Sequence, residues 1–512
     1  MTIVKKYTLK DYLNTSTLAN QSVAQGLFFL ANMINYASDK KDTSIDRQAI
    51  KLAEEFETRE ELTSENRSIL YSYMINAWSV IKTHQFSWED EILGKQIYYG
   101  RKALLEEHFS KLPIAVRLSS YTNLGNALVH TGRILDAIEY YNKALTYDKN
   151  FGMALGAKAR AISIYANLVS HGNIDLLLYL HAEELYRKAI DSPSTQKHAL
   201  KIFKSNLGEI TKYLDKRGRA MKPEDYNFCR SETSQENSYQ IWCLLNGLIL
   251  NPINSVSGYK NIRDIIHTPS IYSEIGKIPP YYAYFNQLKQ EFLAARFLCF
   301  EGSENLYKKH YSDKYGYLLN TYDNALWDYH TQQIKLAFLT AYSVLDKIAM
   351  YIDDYFNLHQ PTDKINFRNV WYQNCDMKYD AKKGKRPILR KEFVNKPNLA
   401  LLALYWLSKD FQIDHTTFAI EPEAERLRKI RNSLEHRFFK IRLIQDNSNL
   451  DKEIGDRIFC EKSIKLLQLV HHALIYLACA VIIEEDRRQE NAQQTPSDKI
   501  SVLMEIEEWT LY

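Results

Sequence analysis

Glycine and proline are scarce in this chain, with 17 and 12 in 512 residues. A β-rich protein of this length needs many tight turns built on those two residues, so their shortage argues for helices. Cysteine is sparse as well. Cys229, Cys243, Cys299, Cys375, Cys460 and Cys479 lie scattered, and no two have the spacing of a zinc knuckle or a redox couple. They read as small buried hydrophobes. No Gly-rich phosphate loop of the nucleotide-hydrolase kind occurs. Neither sign of charge dominates: the formal net charge of +4 is too small to imply a polyanionic partner, so local clustering must carry that argument. The longest apolar run, 466–483, contains Gln468, His471 and His472. It reads as a buried bundle helix rather than a membrane span. The opening residues Met1 to Lys6 have no apolar stretch behind their charges, unlike a signal peptide. A cytoplasmic protein without membrane contact is expected.

The composition is otherwise that of an ordinary soluble protein, 45% hydrophobic and 25% charged, in a chain long enough for about two to four structural units. Residues 1–220 read as helix pairs. In the clearest, spanning 121–150, Tyr121, Leu124, Gly125 and Leu128 share one helix. After Thr131-Gly132-Arg133 a second carries Ala137, Tyr141 and Ala144. Gly125 and Ala137 let two antiparallel helices approach closely, and Tyr141 fills the gap beside them. The pattern resembles one tetratricopeptide (TPR) repeat, with Lys149 where a closing proline is usual. Weaker echoes occur at Trp78, at Tyr99 with Ala103, and at Tyr186 with Ala189. Stacked repeats leave a concave groove, which either takes a protein or peptide trigger or is a scaffold without a ligand. Residues 221–324, punctuated by Pro223, Pro252, Pro269, Pro279 and Pro280, read as an ordered connector packed on the C-terminal helices. Long helices return in 325–512, at about 332–358, 396–411, 422–441 and 461–488, enough for a four-helix bundle. The helix 332–358 is apolar on nearly all sides, more than one bundle needs, so a homodimer is expected.

The helix 422–441 carries the chemistry. At about 100° per residue, Leu427, Ile430, Leu434, Phe438 and Ile441 form a core stripe. Arg431, Glu435, Arg428, Asn432 and His436 fan over a polar face beside it. An imidazole exchanges protons near neutral pH. A guanidinium holds a phosphate and stabilises its transition-state charge, and an amide orients either. Together these suffice for attack of a ribose 2′-OH on the adjacent phosphate without a metal or other cofactor. Arg426, Lys429, Arg437, Lys440 and Arg442 make the segment strongly basic, which suits RNA. A second pair, Arg101 and His108, is set aside because it lies in a repeat helix with Lys102 after the arginine.

Arg431-Asn432-x-x-x-His436, late in a helical bundle, resembles the signature of HEPN domains, a superfamily with many prokaryotic ribonuclease toxins and defence proteins. The segments 250–254, 286–292, 341–349, 404–411 and 430–436 resemble, in the same order, bacterial HEPN proteins with TPR repeats ahead of the domain; the likeness covers roughly residues 235–490. The resemblance implies an all-α architecture, a TPR-like solenoid (1–220) and a HEPN domain (325–512). It implies a homodimer bringing two motifs to one cleft, with Arg431 and His436 catalytic and Asn432 as helper. Glu435 joins the candidate catalytic set. Candidate RNA contacts are Arg428, Arg437 and, in the basic stretch that also holds Lys378, Arg390 and Lys391, Lys382, Lys383, Lys385 and Arg386. That stretch reads equally as a solvated loop. The expected function is a TPR-regulated endoribonuclease in bacterial toxin or antiviral defence; the rival is a non-catalytic interaction or nucleotide-binding module. Asp346 and Lys347 interrupt the apolar helix, as an internal ion pair or as groups reaching the catalytic face. His471-His472 reads as a core pair rather than a metal site.

Overall fold

The computed structural model describes residues 9–502 except 41, 82–85, 170–172, 220–225, 255, 257, 374–386, 413–419, 423, 444–451 and 495–498. Two compact units divide the chain. The first comprises Met1–Ala166, Leu178–Arg219 and Phe418–Pro422, and the second the remainder.

The first unit is a succession of antiparallel helices, and one pair shows how the sequence dictates them. Helices Ile114–His130 and Ile134–Tyr147 are joined by a turn in which Gly132 has φ +77° and donates to the Val129 carbonyl, a left-handed stop that favours glycine. A Cβ on Gly125 would lie 2.5 Å from Cε1 of Tyr141. The missing side chain is therefore the space that the tyrosine ring occupies, and the Tyr141 hydroxyl donates to Asn126 Oδ1 at 2.8 Å. Tyr99, Ala103, Tyr186 and Ala189 are buried on earlier and later helices of the same kind. Arg101 is fully committed to structure: its Nη1 donates to the Ile420 carbonyl at 3.2 Å and pairs with Glu421 at 3.1 Å.

One residue of this unit conflicts with its surroundings. Asp46, in the first turn of helix Thr43–Glu57, is fully buried, and among the described residues neither carboxyl oxygen has a hydrogen-bond partner. Burial, with the charge of Asp42 adding to it, pushes its pKa up to about 7. The folded state then holds a proton that the unfolded chain releases above its ordinary carboxyl range, so stability falls as pH rises from about 4 through 7. Asp46→Asn should raise the thermal midpoint at pH 8 and do much less at pH 5. Thermal unfolding followed by circular dichroism at both values checks this, and an equal shift at the two would contradict it.

The second unit centres on helix Asp456–Gln494. It is long and apolar enough to cross a membrane, but 89% of its most apolar window is buried within the protein. Helices Tyr281–Glu304, Tyr329–Tyr355 and Leu399–Ser408 pack around it. The stretch 221–324, expected as a connector, thus contains a 24-residue bundle helix, begun just after Pro279-Pro280, where prolines suit a helix start. Strand content among the described residues is small: Ile271–Glu274 pairs antiparallel with Lys499–Val502, and Lys440–Arg442 pairs parallel with Glu453–Gly455. His471 is completely buried. Its Nε2 meets the Ile249 carbonyl at 2.8 Å, and burial, joined by the neighbouring His472, lowers its pKa to about 3. It serves as a neutral core group.

Candidate active site

The motif helix runs Ala424–His436, shorter than the 422–441 expected. Leu427 and Ile430 are buried against the core, and the helix packs on Tyr329–Tyr355 and on the 3-10 turn Lys409–Phe411. It stops because the next residues, Arg437-Phe438-Phe439-Lys440-Ile441, are rich in aromatic and β-branched side chains that suit a strand. Phe438 and Phe439 lie in the link before strand Lys440–Arg442, where Phe439 is buried with Ile441 while Phe438 is 99% exposed. Assigning Phe438 to a helical core stripe extended the period of 3.6 past the helix end, and the structure corrects it. Lys335 Nζ donates to the Phe439 carbonyl at 3.2 Å, fixing the chain just beyond the motif.

Arg431, Asn432, Glu435 and His436 form one connected set. Arg431 Nη1 lies 2.8 Å from Glu435 Oε2 and donates to Asn432 Oδ1 at 3.2 Å. The same Glu435 oxygen stands 3.2 Å from His436 Nε2, so one carboxylate bridges the guanidinium and the imidazole. The set is open to solvent: the side chains of Arg431, Glu435 and His436 are 30%, 37% and 67% exposed.

The wall behind them comes from other helices. The Arg431 guanidinium carbon is 5.5 Å from the centre of the Tyr342 ring, and that ring meets Phe411 edge-on at 5.7 Å. Asp346, one turn along from Tyr342 on the same helix, accepts from the Phe367 amide at 3.1 Å. Burial raises its carboxyl pKa, opposed by that amide and by the charges of Arg431 and Arg368, while Glu435 adds to the rise. Asp346 therefore belongs to this site. It does not pair with Lys347, which binds Glu291 instead; adjacent residues on a helix point about 100° apart and cannot face each other. Burial also raises the hydroxyl pKa of Tyr342, against the charges of Arg368, Arg431 and Arg428. Arg428 is half-buried beside this wall and Arg437 is exposed at the helix end. Lys378, Lys382, Lys383, Lys385 and Arg386 lie outside the described residues, although the chain on either side is pinned by Gln373 N to Ile388 O at 2.9 Å and Arg390 N to Trp371 O at 3.0 Å. Among the described residues there is no group of three or more His, Cys, Asp or Glu side chains that could hold a metal ion.

A helical bundle carrying an Arg-Asn-x-x-x-His face, with helix-pair repeats elsewhere in the chain, is the arrangement expected of a HEPN domain preceded by repeats. The sequence comparisons agree. Residues 272–484 match the family described as LA2681-like HEPN and residues 118–151 match the tetratricopeptide repeat; the chain carries an LA2681-like HEPN domain with a TPR repeat ahead of it. The match begins inside the stretch read as a connector. No curated protein and no solved structure matches the chain. HEPN domains often have ribonuclease activity.

Proposed function

We propose that this protein is a metal-independent endoribonuclease, cytoplasmic, acting in bacterial toxicity or anti-phage defence. The observation that carries the reading is the solvent-open contact of Arg431, Glu435 and His436 through one carboxylate oxygen. An RNA phosphate arriving there would displace Glu435 from Arg431 and gain a guanidinium. In the reaction the ribose 2′-oxygen bonds to phosphorus, the 5′-oxygen leaves, one proton departs the 2′-OH and one reaches the leaving oxygen. His436 moves one of those protons, and Asn432 orients the arginine. The products end in a 2′,3′-cyclic phosphate or its opened monophosphate. Incubating labelled RNA and DNA of equal length with the protein in a chelator tests the proposal: RNA is cut and DNA is spared. Cleavage of both, or of neither, contradicts it.

Two proton transfers with one imidazole per motif helix support a homodimer that sets two motif helices at one cleft. Leu336 and Met350 remain exposed on helix Tyr329–Tyr355, apolar surface available to a second copy. Light scattering should return a dimer at micromolar concentration, with or without RNA; a monomer in both conditions contradicts the shared cleft. We further propose that the repeats take a protein or peptide trigger and restrain the nuclease until it arrives.

A second reading has its own support. Glu435 contacts both the Arg431 guanidinium and the His436 ring, as a purely structural side-chain ladder would. On that reading the domain binds nucleotides or partners without cutting, and substitutions at His436 leave function intact.

A further inference from the structure

Outside the motif, the most unusual surface of the second unit is the strap of residues 307–329. Tyr315, Tyr317 and Tyr322 are 83%, 95% and 90% exposed, and Tyr311, Leu318 and Leu319 are exposed with them. A soluble chain leaves a cluster of large apolar groups in water when the cluster has work to do there. The strap is nevertheless anchored at both ends. At its start Tyr307, with φ +73°, donates its hydroxyl to Asp456. His310 is stacked on Tyr329, with ring centres 4.3 Å apart and planes 24° from parallel, and lies 4.0 Å from the Tyr311 ring. At its end Leu326 N donates to Ile441 O at 2.8 Å and Leu443 N to Asn324 O at 3.1 Å, while Arg442 Nε donates to the Asp323 carbonyl at 2.7 Å. The strap is thereby bonded to the strand that begins four residues after His436.

Its charges are sorted. Asp313 accepts from the Tyr329 amide, Asp323 pairs with Lys440 at 2.5 Å, and Asp328 caps helix Tyr329–Tyr355. Each acid is thus occupied. Lys308, Lys309 and Lys314 are exposed, and among the described residues none of the three forms an ion pair. Exposed tyrosines interleaved with lysines free of acids match one ligand chemistry: unpaired bases, which stack on the rings, joined by phosphates, which take the ammonium groups.

We infer that residues 307–329 form a stacking platform for single-stranded RNA and feed the strand toward the motif helix. A duplex has its bases already stacked and cannot use the rings. The inference rests on the ribonuclease reading for the direction of the strand, and it narrows the substrate to unpaired RNA.

The test measures binding of a fluorescent, unstructured 20-nucleotide RNA and of a duplex of the same length to the full chain carrying His436→Ala, so that cleavage does not interfere. Adding Tyr315→Ala, Tyr317→Ala and Tyr322→Ala together should weaken binding of the single strand at least ~10-fold and leave the duplex within about 2-fold. The three Tyr→Phe changes, which keep the rings, should restore most of the loss. Unchanged single-strand affinity in the Ala variant overturns the platform, as does equal loss for both RNAs. Dissociation of an oligomer with RNA affinity unchanged also overturns it and makes the strap an interface between copies. The two readings fail separately. If His436→Ala cuts RNA as fast as the parent while the tyrosines still control binding, the active-site assignment falls and the platform stands. If His436→Ala abolishes cutting while the tyrosine variants bind normally, the reverse holds.

Discussion

His436→Ala should lower the rate of RNA cleavage by at least ~100-fold, the usual scale for losing a positioned proton-transfer group. The side chain is two-thirds exposed and its described contact is to Glu435, so its removal opens no cavity and leaves the helix packed through Leu427 and Ile430. Unchanged thermal unfolding should therefore accompany the lost activity. The parent protein should cut with the same products in excess chelator. A variant that cuts RNA as fast as the parent would place the site elsewhere and make the binding-only reading the better one. Gln or Asn at this position can still hydrogen-bond but cannot carry the proton, so neither should rescue the rate.

Arg431→Ala should cost a similar factor for a different reason. A fixed guanidinium facing a phosphate contributes most when charge builds on the oxygens in the transition state, and losing one such group typically costs about 10²–10³ in rate. The ion pair it makes with Glu435 is solvent-exposed, worth under ~1 kcal/mol to the fold, so stability should barely move. Arg431→Lys keeps the charge but loses the fork and the contact with Tyr342. It should recover a minor part of the activity, with kcat affected more than KM. If Arg431→Ala raised KM alone, the arginine would only bind substrate, and the transition-state role would be withdrawn. Asn432→Ala should be milder than either, because its described role is to accept one hydrogen bond from Arg431.

Much of this site was legible because it is local. Arg431, Asn432, Glu435 and His436 lie within six residues of one helix, and helical geometry alone places them on one side. The Gly125–Tyr141 contact was legible for the same reason: a missing side chain and a large ring at matching heights on neighbouring helices. Legibility ended where the period changed or the partner was distant in sequence. Phe438 is exposed because the helix has already ended at His436 and the residue sits in the link before strand Lys440–Arg442. Asp346 looked as though it belonged with Lys347, yet its electrostatic partners are Arg431 and Arg368, and Lys347 reaches Glu291. Arg368 carried no local signal at all. The helix Tyr281–Glu304 was obscured by the prolines before it, which mark a helix start as readily as a break.

The single, exposed imidazole on each motif helix has a consequence for dosage. If two copies must supply one proton-transfer group each, the cutting species is the pair, and at high dilution its concentration follows the square of the total chain. Halving the protein would then quarter the rate. A cell holding few copies would be nearly untouched, while one in which the chain accumulates would cross steeply from tolerance to RNA loss.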